Sequence, residues 1–146
     1  MIDGKRAIKA RITMRGFKDS QQDMETFVGT ATRMSQRVVT SITALHKDWF
    51  QWSFDVPQAF AKGMTFQEMS KLTGDPIRSV QVLLRPDDVE VIRAIPGYED
   101  FDPARECLDM VKAVYGLKDA PRAWRFELHL VLVAFGLVPT LADPQI

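Results

Sequence analysis

Apolar and polar positions alternate along residues 6–15, RAIKARITMR, with the two-residue period of a strand, and Gly16 closes the run. Residues 19–30 are polar and contain glycine, which reads as a loop. From Thr32 the pattern changes period: Met34, Val38, Val39, Ile42 and Leu45 recur at three- and four-residue spacing, predicting an amphipathic helix to about His46. In FQWSFDV, residues 50–56, Phe50, Trp52 and Phe54 alternate with Gln51, Ser53 and Asp55, so a second strand is expected there. Pro57 ends it, because proline has no N–H to give a ladder.

Further along, Thr65-Phe-Gln-Glu68 matches a capping box opening a short helix, and Gly74 is placed to stop it. VQVLL at 80–84 predicts a short strand, followed by a helix from Pro86 to about Ile95. The acidic, turn-rich PGYEDFDPARE of 96–106 is expected to be exposed. CLDMVKAV at 107–114 suits a strand as well as a helix. RAWRFELHLVLVAFG at 122–136 predicts a helix with a broad apolar face. Strands and helices mix without strict βαβ alternation, so the expected class is α+β.

Composition narrows the field. The 146 residues, 46% of them hydrophobic, are enough for one domain with a core. No apolar run approaches the roughly 18 to 20 residues of a membrane span, and MIDGKRAIKAR at the start lacks the apolar stretch of a secretory leader. The expectation is an intracellular chain, cytoplasmic or nuclear, without a membrane partner. One cysteine, Cys107, makes an internal disulfide impossible, and with only His46 and His129, 83 positions apart, beside it the chain offers a poor zinc set.

The net charge of zero hides an asymmetry. Residues 1–50 hold nine Lys/Arg against five Asp/Glu, whereas residues 64–110 hold five against ten. Within the basic front, Lys9, Arg11 and Arg15 share the parity that puts side chains on one strand face. Such a face would present cations to phosphates, or would simply guard a sheet edge with charge.

Among candidate chemical groups, Asp55 ends an aromatic strand and is followed by a proline break. A carboxylate there, with the next carbonyl turned the same way, is an oxygen site for Mg²⁺; the alternative is a carboxylate capping the following turn. Asp87-Asp88 follows Pro86 and reads as acids in the first turn of a helix, complementing its dipole. Cys107 reads as a buried strand residue. There is no Gly-rich phosphate loop and no serine-centred elbow.

Three blocks remain, in order: KARITMRGF from Lys9 to Phe17, FDVPQAFAKG from Phe54 to Gly63, and VYGLKDAPRAW from Val114 to Trp124. With Glu25-Thr-Phe27, Phe135-Gly136 and Ala142-Asp-Pro144, they resemble the reverse transcriptase of copia-type (Ty1/copia) LTR retrotransposons over nearly the whole chain. A longer, acidic segment around 64–106 separates the second and third blocks.

The resemblance implies a partial fingers and palm of an RNA-directed DNA polymerase, with residues 1–50 fingers-like and 51–146 palm-like in a single partial domain. It makes Asp55 the first catalytic aspartate, holding Mg²⁺ with the Val56 carbonyl. It puts Phe60 under the nucleotide sugar, Lys9, Arg11 and Arg15 near phosphates or template, and Tyr115, Gly116, Lys118, Pro121 and Arg122 around the nucleotide and template pocket. The implied partners are an RNA/DNA template-primer, a deoxynucleoside triphosphate and the rest of a retrotransposon polyprotein. Pro57-Gln58 departs from the family's usual Lys-Thr, and Asp119 stands where Gln is common. The paired aspartates of the family's Tyr-x-Asp-Asp turn do not occur in these residues. The chain by itself is therefore expected to be catalytically inactive, with a non-catalytic nucleic-acid-binding or interaction domain as the alternative.

Overall fold

The computed structural model describes residues 13–19, 21, 26 and 28–139. In chain order its elements are helix α1 (Arg33–Leu45), helix α2 (Phe66–Thr73), strand β1 (Gln81–Val82), helix α3 (Pro86–Arg93), strand β2 (Leu108–Asp109) and helix α4 (Ala120–Ala134). Single 3-10 turns lie at Gly16–Lys18 and Ala59–Lys62. The chain divides into two compact units, one of residues 1–63 with 114–146 and one of residues 64–113.

In the first unit, α1 starts where the pattern changes period. The Thr32 side chain accepts the Ser35 N–H at 3.0 Å, satisfying one of the amides that a helix start leaves without a partner. Its apolar stripe is largely exposed. Most of the predicted strand 6–15 lies outside the described residues; Met14 and Arg15 are not in a strand, and Gly16 opens a tight turn instead.

The strand expected at 50–56 does not form. These residues join no ladder, and Phe50, Trp52 and Phe54 are 80%, 86% and 75% exposed. Alternation marks which side chains would share a face, but a strand exists only where a neighbour takes its N–H and C=O groups. No such neighbour lies beside it among the described residues.

Pro57 still ends the segment, and Gln58 then takes a left-handed conformation (φ 57°) that swings the chain into the turn at Ala59–Lys62. That turn packs on α4. Gly63 closes it against the start of α4, where a Cβ would come within 2.9 Å of the Trp124 amide nitrogen and 3.1 Å of the Ala123 carbonyl carbon. Helix α4 begins at Ala120, two residues before the predicted start, with Pro121 in its first turn, where a missing N–H costs nothing.

The second unit follows its local signals closely. Thr65 N–H donates to Glu68 Oε2 at 2.8 Å and Glu68 N–H donates to Thr65 Oγ1 at 3.2 Å, a complete capping box. Gly74 ends α2 at φ 77°. β1 and β2 pair antiparallel, Gln81 opposite Asp109 and Val82 opposite Leu108, which decides the strand reading for the first part of 107–114. Helix α3 carries Pro86 at its start with Asp87 and Asp88 in its first turn, and ends at Arg93. Met64, Phe66, Val89, Phe101 and Ala113 are buried. The Arg78 guanidinium lies 5.7 Å from the centroid of the Phe66 ring. Cys107, expected to be buried, is exposed: it precedes a strand only two residues long, too short to cover it.

No helix among the described residues is long and apolar enough to cross a membrane.

Candidate functional site

The front segment, the 54–63 segment and the YGLKDAPRAW segment all belong to the first unit. The Met14 N–H donates to the Tyr115 carbonyl at 2.7 Å. Beside that bond Gly16 and Gly116 meet backbone to backbone. A Cβ on Gly16 would overlap the Gly116 carbonyl oxygen, and one on Gly116 would overlap the Met14 carbonyl oxygen and lie 2.8 Å from its carbon. Gly116 also holds φ at 95°, which side chains rarely tolerate. Both glycines are therefore demanded by one contact.

The second junction is aromatic. The Phe60 ring sits 4.9 Å from the Tyr115 ring, tilted by 50°, a favourable offset arrangement. The third is the Gly63 approach to α4 already described. Each block thus contributes a glycine at its meeting point. These glycines stand in the sequence as RGF, AKG and YG, but a glycine there names no partner, so their pairing is visible only in the fold.

Lys118 is exposed, and its Nζ donates to the carbonyls of Asp19 (3.2 Å) and Gln21 (3.5 Å). Next to it Asp119 is buried as the residue before α4, so consecutive residues with opposite charge are in different surroundings. A negative side chain at a helix start complements the helix dipole. Arg122 is 8% exposed, with its guanidinium 5.6 Å from the Phe126 ring centroid. Pro121 is half-buried in the first turn of α4 and Arg15 is exposed. Lys9 and Arg11 lie outside the described residues.

Asp55 is exposed and makes no hydrogen bond with a described residue, so it does not cap the turn at Ala59–Lys62, which follows Gln58. Its neighbours Phe54 and Val56 line an open apolar groove of about 640 Å³ with Trp124, Leu128 and Val131 of α4. Asp55 itself does not line it. Among the described residues no three His, Cys, Asp or Glu side chains gather where they would hold a metal ion. One carboxylate and the Val56 carbonyl would leave most of the six oxygens around a Mg²⁺ ion to water or phosphate.

Over 140 residues, 94% of its length, the chain is 31% identical to the retrovirus-related Pol polyprotein from transposon RE1 of Arabidopsis thaliana. The 146 residues are similar to one segment of a retrotransposon Pol polyprotein. The corresponding Pol polyprotein from transposon RE2 of the same plant is 29% identical over the same share of the chain. This Pol-like segment spans 8% of the length of either relative. No protein-family model matches it, and no solved structure does.

Proposed function

We propose that the chain is part of a copia-type reverse transcriptase, an RNA-directed DNA polymerase, with an α+β fingers and palm fold. The observation that carries the proposal is the convergence of three blocks separated in sequence: Met14 and Gly16, Phe60 and Gly63, and Tyr115, Gly116 and Trp124 meet in one unit. The Pol similarity supports it independently.

In this reading Phe60, steadied by Tyr115, forms the floor under a nucleotide sugar. Arg15 and Lys118, both exposed, supply charge to phosphates of nucleotide or template, with Lys9 and Arg11 in the same front block. Buried Arg122 and Pro121 shape the wall that carries these groups. Asp55 is the catalytic carboxylate. Magnesium enters this reading only by resemblance, because the described residues do not assemble its shell. The 146 residues by themselves are proposed to be inactive.

Binding of a labelled RNA/DNA hybrid, followed by fluorescence anisotropy across salt concentrations, tests the site. The expected result is affinity that falls steeply with salt, with Arg15→Ala and Lys118→Ala each lowering the log–log slope by about 0.9 for every phosphate no longer neutralised. No binding at low salt would refute the proposal. Primer extension by the purified 146 residues, abolished by Asp55→Ala, would overturn the predicted inactivity.

A further inference from the structure

We infer that α1 is a self-association surface: two copies of the chain pair their α1 helices antiparallel, apolar stripe against apolar stripe.

Not one of the 13 residues of α1 is buried. Its two half-buried residues, Ser35 and Thr43, are polar, whereas Met34, Val38, Val39, Ile42 and Leu45 are all exposed, Met34 by 69% and Leu45 by 80%. Apolar positions recurring at three and four residues form the seam along which two helices pack at a shallow angle.

Charge sets the direction. Arg33 and Arg37 lie along one border of the stripe in the first half of α1, while the first turn holds no acid and the last turn no base. Lys47 and Asp48, just past the C-terminal end, offset each other. The two cations therefore sit at the positive end of the helix dipole, where they are unfavourable for a single helix. A parallel pair would make this worse by setting Arg33 against Arg33 and Arg37 against Arg37. An antiparallel pair reverses the sign, because the arginines of each copy come beside the last turns of the other, whose C-terminal carbonyls carry the negative end. In the same register Met34 falls at the level of Leu45 and Val38 beside Ile42, so the apolar residues match as well. Such a two-fold pair uses the same face on both copies and closes at two. Helices of roughly 20 Å cover less than the about 1,200 Å² of a stable complex, so the dimer is weak and concentration-dependent.

Sedimentation equilibrium of the whole 146-residue protein, from micromolar to millimolar, is expected to show an average mass that rises toward twice that of one chain and levels there. Val38→Glu, at an exposed position, is expected to keep the mass of one chain at every concentration, with far-ultraviolet circular dichroism unchanged. Arg37→Glu, off the stripe, puts a carboxylate beside the partner's C-terminal carbonyls and is expected to weaken the dimer roughly three-fold or more. Direction is read by crosslinking in a Cys107→Ser background. Met34→Cys mixed with Leu45→Cys under a mild oxidant is expected to give several-fold more disulfide-linked dimer than either variant alone. A wild type that stays a single chain at millimolar concentration overturns the inference. So does a dimer that Val38→Glu leaves intact, which would assign association to the open aromatic segment at 50–56 instead. Met34→Cys that links to itself as readily as to Leu45→Cys, or a dimer tightened by Arg37→Glu, overturns the antiparallel arrangement.

Discussion

Gly116→Ala should be among the most damaging single substitutions in this chain, and its cost can be divided into two parts. The first is conformational: at φ 95° an L residue is strained by about 1–2 kcal/mol. The second is steric. The new methyl would overlap the Met14 carbonyl oxygen and lie 2.8 and 2.9 Å from its carbon and nitrogen, all main-chain atoms that no rotamer change can move. Overpacking of this kind costs about 1–3 kcal/mol. Together they approach about 2–5 kcal/mol, a large share of the roughly 5–15 kcal/mol that holds a domain together. The steric part has an escape, because the front segment can leave. Two reference substitutions separate the parts. Gly74→Ala meets positive φ with no atom within 4 Å and carries strain alone. Gly16→Ala meets the Gly116 carbonyl without a positive φ and carries the collision alone. Urea unfolding gives the global loss, and Met14 amide exchange gives the undocking. Gly116→Ala should lose stability as Gly74→Ala does and, in addition, lose Met14 protection as Gly16→Ala does. A Gly116→Ala protein with wild-type midpoint and a protected Met14 amide would refute the reasoning.

Other outcomes follow from single interactions. The Glu68 carboxyl is held below its ordinary value of 4.5, first by the Thr65 backbone N–H and then by the Thr65 hydroxyl. A depressed acid stabilises the fold above its unfolded value and loses that contribution as pH falls through the folded one, so the wild type should lose stability below about pH 4.5 in thermal melts and Glu68→Gln should lose less over the same range. The exposed Cys107 should react with a disulfide reagent at one thiol per chain without denaturant; a thiol that reacts only after unfolding would contradict its placement. Gln58→Gly should stabilise by up to about 1 kcal/mol, because glycine accepts the left-handed turn at φ 57° that glutamine is forced into. A lower urea midpoint for this variant would show that the glutamine side chain contributes more than the strain it carries.

What could be read from the sequence divides by range. The box of Thr65 and Glu68, the Gly74 stop, Pro86 with its two acids and the period of α1 are signals complete within a few residues, and they fold as read. Residues 107–114 could not be assigned locally, because their strand depends on Gln81 and Val82, some 27 positions earlier. The 50–56 segment failed in the opposite sense: its alternation is genuine, but no strand among the described residues pairs with it and no ladder forms. At the candidate site the residue types were legible as motifs. Their meetings were not, since Gly16 with Gly116 and Lys118 with Asp19 lie about a hundred residues apart in sequence.

The open aromatic segment has a practical consequence for Asp55. A stretch with Phe50, Trp52 and Phe54 uncovered, in no ladder among the described residues, is a template for stacking of one copy on another. Only two features in it oppose such self-association, the charge of Asp55 and the proline that follows Val56. The residue proposed to do chemistry is thus also the gatekeeper of solubility. Replacing it by alanine removes both properties at once, so a loss of activity measured with that variant would be mixed with aggregation. Asp55→Glu keeps the charge while moving the oxygens, and separates the two.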